Sequence, residues 1–334
     1  MKYQEIINEL KGGRFRPIYF LMGDEAYFID QITHFIEEHA LPEDQRSFNQ
    51  NVFYGADVDV ATLIAEARRY PMMADRVVIV VREAQRMRQM EDLAAYAENP
   101  LASTVLVIAY KYKKLDKRKK LYKTLSNRHV VLESKKLYDN EIPGWIGQAL
   151  QERGLRSTPE AQQLLAEYLG TDLGRIDQEL TKLELALQEG QTVDPLVVEE
   201  NVGISKDYNN FELIKALAVG DFAKAIRIQR YFEANPKDNP LVMTLSILYS
   251  FFSKLMIVHQ ARDKTPRGLS KLLGVNPYFV RDYQQGAARY DMKKLARVIA
   301  YLRECDRRSK GVGGTSAVPD AELLKELLIK ITHA

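Results

Sequence analysis

Cysteine is almost missing from this chain: Cys305 is the only one in 334 residues. That excludes a disulfide framework and any cysteine zinc site built within the chain. Histidine is scarce as well, with five, and none stands in an HExxH or comparable ligand spacing. His34 and His39 fall in an ordinary helical pattern and are expected at the surface. No apolar run approaches the roughly 20 residues of a membrane span. The opening MKYQEIINELKGGRF lacks the apolar centre of a signal peptide, so the expected location is cytoplasmic. Neither sign of charge dominates, with 48 Lys and Arg against 45 Asp and Glu. A net charge of +3 does not identify a nucleic-acid binder, and only the distribution of charge can.

What is present divides by period. Over the first 135 or so residues, β-rich runs recur at 18–22, 48–53, 77–81, 105–109 and 130–133. Helical patterns lie between them, one carrying Phe28, Ile32, Phe35 and Ile36 and the next Leu63, Ile64 and Ala67. The run VVIVV has no polar alternate position, which requires cover on both faces and predicts a parallel sheet between helices. After KKLYDNEIPGW the strands are expected to stop and the period becomes 3.6. Ser157 or Thr158 is a candidate N-cap, Pro159 sits in the first turn, and Gly170 stops that helix. Leu173, Ile176, Leu180, Leu183 and Leu187 form the next apolar stripe, with Gly190 as its end. The predicted organisation is an α/β domain over 1–138, a small helical domain over 139–208 and a larger helical domain over 209–334.

The stretch RPIYFLMGDEAYFIDQI places a strand, one glycine and an amphipathic segment where a P-loop enzyme keeps its phosphate turn. The chemistry of that turn is absent. A working P-loop needs several glycines, a lysine for the β/γ-phosphates and a Ser or Thr for magnesium. Here Gly23 is followed by Asp24, Glu25, Ala26 and Tyr27, carboxylates where phosphate charge would otherwise be welcomed. The partner strand VVIVV runs into Arg82 and Glu83, so a cation stands where the first magnesium-binding acid belongs. ATP hydrolysis by this chain is not expected. The residues alone also allow a glycine turn in an unrelated α/β fold.

Three further segments raise functional questions. KYKKLDKRKKLYK gathers Lys111, Lys113, Lys114, Lys117, Arg118, Lys119, Lys120 and Lys123 around a single acid, Asp116. Such a cluster can touch phosphates without reading sequence. It can equally be the solvated face of a helix whose buried side is Leu115, Leu121, Tyr122 and Leu125. GLSKLLGVNPYFVRDYQQGAARY resembles a helix-turn-helix, with Gly274 at the turn and Pro277 opening the second helix. Arg281 and Gln284 could face a groove, but Asp282, Tyr278, Phe279 and Val280 argue for packing within a helical domain, with Arg289 and Lys293 or Lys294 toward a partner. KGVGGTS (310–316) lacks the GK[ST] ending and reads as an interhelical loop. No grouping of Asp, Glu and His suits acid–base or metal catalysis, and no cofactor is expected.

Taken in order, these segments resemble a known family, the delta subunit of the bacterial DNA polymerase III clamp loader. IYFLMGDEAYFIDQI is similar to its opening strand, turn and helix, and RRYPMMADRVVIVVREAQ to its helix-to-strand segment. YKYKKLDKRKKLYKTL is similar to its lysine-rich helix. DLGRIDQELTKLELA resembles its second-domain helix, NNFELIKALAVGDFAKAI the start of its third domain, and LSKLLGVNPYFVRDY a segment near the end of that domain. The resemblance runs essentially end to end. It implies an AAA+-like N-terminal domain without a working P-loop, a lid-like helical domain and a C-terminal helical collar. It also implies a non-hydrolysing subunit that grips the sliding clamp and helps open it for loading onto primed DNA, while other loader subunits hydrolyse ATP. The matching grip residues are Met72 and Met73, flanked by Tyr70, Pro71 and Arg76. Family members often carry Leu-Phe there, so Met-Met is a departure. Two flexible apolar side chains suit a preformed apolar pocket, although a Met pair at a helix–strand junction is by default core. In a DNA-loading machine, Lys111, Lys113, Lys114, Lys117, Arg118 and Lys120 become candidates for phosphate contact. The competing readings are a divergent P-loop nucleotide hydrolase and a helix-turn-helix DNA-binding regulator.

Overall fold

The computed structural model describes residues 1–202, 205, 207–312 and 318–334. Met1–Leu137 and Tyr138–Ala334 form two compact units.

The first unit alternates strands and helices: α1 (Tyr3–Lys11), β1 (Ile18–Gly23), α2 (Ala26–His39), α3 (Glu43–Asn49), β2 (Gln50–Tyr54), α4 (Val60–Ala67), β3 (Val77–Arg82), α5 (Ala94–Glu98), β4 (Thr104–Lys111), α6 (Lys120–Arg128) and β5 (Val130–Ser134). The strands make one sheet in the order β2-β3-β4-β1-β5, parallel throughout. Alternation along β3 divides the core in two. Val77, Ile79 and Val81 face a cluster with Leu63, Leu121 and Leu125, while Val78 and Val80 join Ile29, Ile32 and Ile36 on the other side. The sheet is therefore covered on both faces, as expected for uninterrupted apolar strands.

Two boundaries in this unit differ from the sequence reading. Phe48 and Asn49 end α3, and the strand begins only at Gln50. The lysine-rich segment is mostly loop, because the chain leaves β4 at Lys111 and helix α6 starts at Lys120. Leu115 anchors that loop in the core, its N–H 3.4 Å from the Met22 sulfur.

The second unit is built from α7 (Ile142–Glu152), α8 (Pro159–Leu169), α9 (Leu173–Ala186), α10 (Pro195–Val202), α11 (Asn210–Val219), α12 (Phe222–Ala234), α13 (Leu241–Gln260), α14 (Pro266–Leu273), α15 (Val280–Arg289), α16 (Met292–Ser309) and α17 (Asp320–Thr332). Thr158 is the cap of α8, its hydroxyl accepting from the Ala161 N–H at 3.2 Å, and Gly170 stops that helix. Helix α9 ends earlier than expected, with Leu187 as its C-cap. Strands do not vanish from this region: Arg156–Ser157 and Thr192–Val193 form a short parallel pair that ties the start of α8 to the segment after α9.

Helix α13 corrects another expectation. It has 20 residues with one Lys, an 18-residue stretch of mean hydropathy 1.9, and the length and composition to cross a membrane. Thr244, Ser246, Ser250 and Ser253 interrupt the apolar run in sequence, but the helix continues through them. Leu245, Leu248, Phe251, Phe252 and Leu255 place it at the centre of the main helical core. Gly313–Ser316 of the glycine-rich segment lie outside the described residues.

Candidate functional site

Between α4 and β3 the chain turns through Tyr70–Arg76 without regular structure. An apolar pair at such a junction is normally core, yet Met72 is 57% and Met73 99% exposed. Tyr70 beside them is largely exposed as well, and Pro71 is half-buried. Met73 adopts a left-handed backbone (φ 53°), a region L-residues other than Asn, Asp and His rarely enter. The next residue, Ala74, packs back against the sheet core. Arg76 lies over the Phe15 ring at 4.9 Å, which fixes the far end of the loop by a cation–π contact.

The residue that holds this loop carries no mark in the sequence. Asn49 is 1% exposed, and its side-chain amide brackets Met72. The Met72 N–H donates to Asn49 Oδ1 at 2.7 Å, and Asn49 Nδ2 donates to the Met72 carbonyl at 3.0 Å. A further bond from Nδ2 to Gln45 O at 3.1 Å ties Asn49 into α3. The Met72 backbone is thus fixed from below while the side chains of Met72 and Met73 are displayed. The arrangement is a rigid presentation of flexible apolar side chains, suited to filling an apolar pocket in a partner.

The glycine turn after β1 is filled from within. Gly23 has φ +128°, and a Cβ there would lie 1.9 Å from the Ser134 carbonyl oxygen. Asp24 donates its N–H to that same oxygen at 2.9 Å. The Glu25 carboxylate caps α2 by accepting the Tyr27 N–H at 3.1 Å, so the Asp24 and Tyr27 backbone donors at this turn are both engaged. Lys114 reaches Asp24 at 3.0 Å and Glu133 at 3.5 Å. Lys111 pairs with Asp30 at 2.6 Å. At the end of β3, Arg82 donates from Nη2 to both carboxylate oxygens of the buried Glu37, at 3.0 and 2.8 Å. Glu83 follows in a left-handed conformation and accepts from Gln85 at 2.6 Å. The turn after β1 and the end of β3 are thus occupied by the chain's own ion pairs and caps.

Most of the lysine-rich segment is matched by acids. Lys117 pairs with Glu133 at 2.8 Å and holds that carboxyl below its usual range. Arg118 pairs with Asp116 at 2.8 Å, Lys119 with Glu91 at 3.6 Å and Lys120 with Glu98 at 2.8 Å. Lys113 donates to the Gln85 carbonyl at 3.3 Å. The side chains of Lys117, Arg118 and Lys120 are well exposed in these pairs. Exposed pairs of this kind stabilise little and exchange readily.

The helix-turn-helix-like segment packs as part of the second unit. Leu269 and Leu273 of α14 and Val280 of α15 close a small core with Val258 of α13. Gly274 takes the left-handed C-cap position, Asn276 caps a 3-10 turn at Pro277–Phe279, and α15 begins at Val280 rather than at Pro277. Phe279 is buried against Phe211, ring centroids 4.8 Å apart, and Gln284 donates to Lys264 O at 3.2 Å. Arg289 lies over Phe222 at 5.0 Å. Of the two residues expected to read a groove, Gln284 is engaged with the Lys264 carbonyl while Arg281 stays exposed. Among the described residues no group of three or more His, Cys, Asp or Glu could hold a metal ion.

The comparisons agree with this layout. The family model described as DNA polymerase III, delta subunit matches residues 19–135. The model described as DNA polymerase III delta subunit, C-terminal domain matches residues 207–329. The DNA polymerase III subunit delta of Bacillus subtilis (strain 168) is 23% identical over 338 residues, covering 97% of this chain and 95% of its own. The solved structure of the Bacillus subtilis DNA clamp loader delta protein superposes with a TM-score of 0.56 at 22% identity, over 99% of this chain and 100% of that one. With both family models matched in order and the fold shared along its length, the chain belongs to the delta subunit family of DNA polymerase III.

Proposed function

We propose that this chain is the loader subunit that grips the ring-shaped sliding clamp and helps hold it open for loading onto primed DNA, acting in the cytoplasm without hydrolysing ATP itself. The observation that carries the reading is the display of Met72 and Met73 on a loop whose backbone is fixed by the buried Asn49. Exposed large apolar side chains on a rigid mount are what an anchor requires, and a core role for the pair would need them covered. Tyr70, Pro71 and Arg76 flank the anchor and shape the loop.

The internally filled turn after β1 supports the division of labour, with nucleotide chemistry left to the ATPase subunits of the loader. Contacts to those subunits fit the helical second unit. Val242, Tyr249 and Ile257 of α13 are exposed at spacings of seven and eight residues, along one face of the helix, while its other face fills the core. Phosphate contact by Lys111, Lys113, Lys114, Lys117, Arg118 and Lys120 belongs to the same reading, and each cation that binds DNA would exchange the partner it now has.

Calorimetric titration of this protein with the clamp of the same organism tests the grip, with wild type beside the Met72→Ser/Met73→Ser double variant. Micromolar or tighter binding by wild type is expected, weakened at least about tenfold in a variant that remains folded. Equal binding by both proteins would move the anchor elsewhere, and no binding by either would end the clamp-gripping reading.

A further inference from the structure

Resting on the clamp-gripping reading, we infer that Phe48 is a third anchor residue, seated by the same partner that receives Met72 and Met73. Phe48 is the penultimate residue of α3 and is 69% exposed. A single exposed phenylalanine is ordinary. Two independent features tie this one to the methionine loop.

The first is Asn49, which follows Phe48 directly and holds both the N–H and the carbonyl of Met72. Two hydrogen bonds through one short side chain place the Phe48 and Met72 backbones within roughly 10 Å of each other. They also remove the freedom of one segment to move without the other. The second is strand register. Gln50 pairs with Val78 in the parallel β2–β3 ladder, so both strands begin at the same end of the sheet. Phe48 lies just before β2 and Met73 just before β3. Both segments therefore lie at one end of one strand pair.

Large exposed apolar side chains thus stand on both of the two tied segments, distant in sequence: Phe48 on one, Tyr70, Met72 and Met73 on the other. An interface of ordinary size spans 20 to 30 residues a side and concentrates its energy in a few central anchors. An aromatic side chain on a segment tied to that of two flexible thioethers suits that centre, the ring contributing rigid area and the methionines adapting around it. The occupant is an apolar pocket of the clamp, and its lip would cover Phe48 when the methionines are seated.

Phe48→Ser is compared with wild type and with Met72→Ser/Met73→Ser in the same clamp titration, each checked for an unchanged thermal transition. The expected result is about a tenfold loss of affinity at Phe48 and a larger loss at the methionine pair. If the methionine variant loses binding while Phe48→Ser binds as wild type does, the third anchor is overturned and the clamp-gripping reading stands. If the methionine variant binds as wild type does, the anchor lies elsewhere and the Phe48 inference falls with it, whereas no binding by any of the proteins ends the clamp-gripping reading itself. Should Phe48→Ser shift its thermal transition, Phe48→Leu supplies the second measurement. It keeps the apolar volume but loses the ring, and a loss of affinity there with the fold intact supports the anchor, while wild-type affinity overturns it.

Discussion

Replacing Asn49 by alanine would strip two hydrogen bonds from the backbone of Met72 and a third from Gln45. Backbone groups left without partners in a closed site cost about 1–3 kcal/mol, so chemical denaturation of Asn49→Ala should show a loss of that size. Clamp affinity should fall as well, although Asn49 itself is buried. A variant with wild-type stability and affinity would show that the loop holds its shape without the amide. Glu167 makes a different prediction. Its Oε2 is shut from solvent without a hydrogen-bond partner, and burial is the main cause that pushes the carboxyl from 4.5 up to about 7. Between those two values the folded chain keeps a proton that the unfolded chain releases. The contribution of this group to stability is therefore full at low pH, falls as pH rises through that window and stays low above it. Thermal unfolding at about pH 5 and about pH 8 should show a smaller decline in Glu167→Gln than in wild type, and parallel declines would refute it. Neither residue is visible from local pattern. Asn49 sits in a polar run that reads as the start of a strand, and its partner lies 23 residues on. Glu167 occupies an unremarkable helical position whose burial is set by the packing of other helices.

At the scale of elements, the turn after β1 decides whether nucleotide can matter. Its N–H groups, carboxylates and nearby lysines are already paired with one another. Millimolar ATP with magnesium should leave the thermal transition of the isolated chain where it is. A nucleotide bound at 100 times its dissociation constant would instead add about 2.7 kcal/mol, and a rise of that kind would revive the nucleotide-hydrolase reading. This element was largely legible: one glycine, two acids after it, and an arginine where an acid belongs are all local facts. The ion pairs that replace the missing chemistry were not. Arg82 and Glu37 are 45 residues apart and meet only once β3 packs on α2. The strands were legible for a related reason, since an apolar run with no polar alternate must be covered twice. The ends of elements were less so. Phe48 and Asn49 suit a strand by composition, but the hydrogen bonds of α3 extend through them.

For the molecule as a whole, electrostatics test the link to DNA. The chain is nearly balanced in charge, and its lysine-rich loop is balanced locally by Glu91, Glu98, Asp116 and Glu133. If that loop meets DNA in the assembled loader, changing Lys113, Lys117, Arg118 and Lys120 together to alanine should weaken binding to primed DNA. It should also flatten the dependence of log affinity on log salt by about 0.7 to 0.9 for each phosphate that is no longer neutralised. An unchanged slope would return these residues to a structural role. The division into an α/β part and a helical part was readable from the change of period. The standing of α13 was not, because serines and threonines break its apolar run in sequence and only the helix shows that they do not end it.

The bracket that Asn49 places on Met72 also bears on time. A loop that must find its shape at each encounter loses productive collisions and gives up entropy whenever it docks. One that is set when the chain folds meets every ring in the same posture. On the proposed grip, the clamp should then associate with this surface at a rate governed by diffusion and orientation rather than by loop rearrangement, and variation in the side chains it displays should appear in how long the complex lasts.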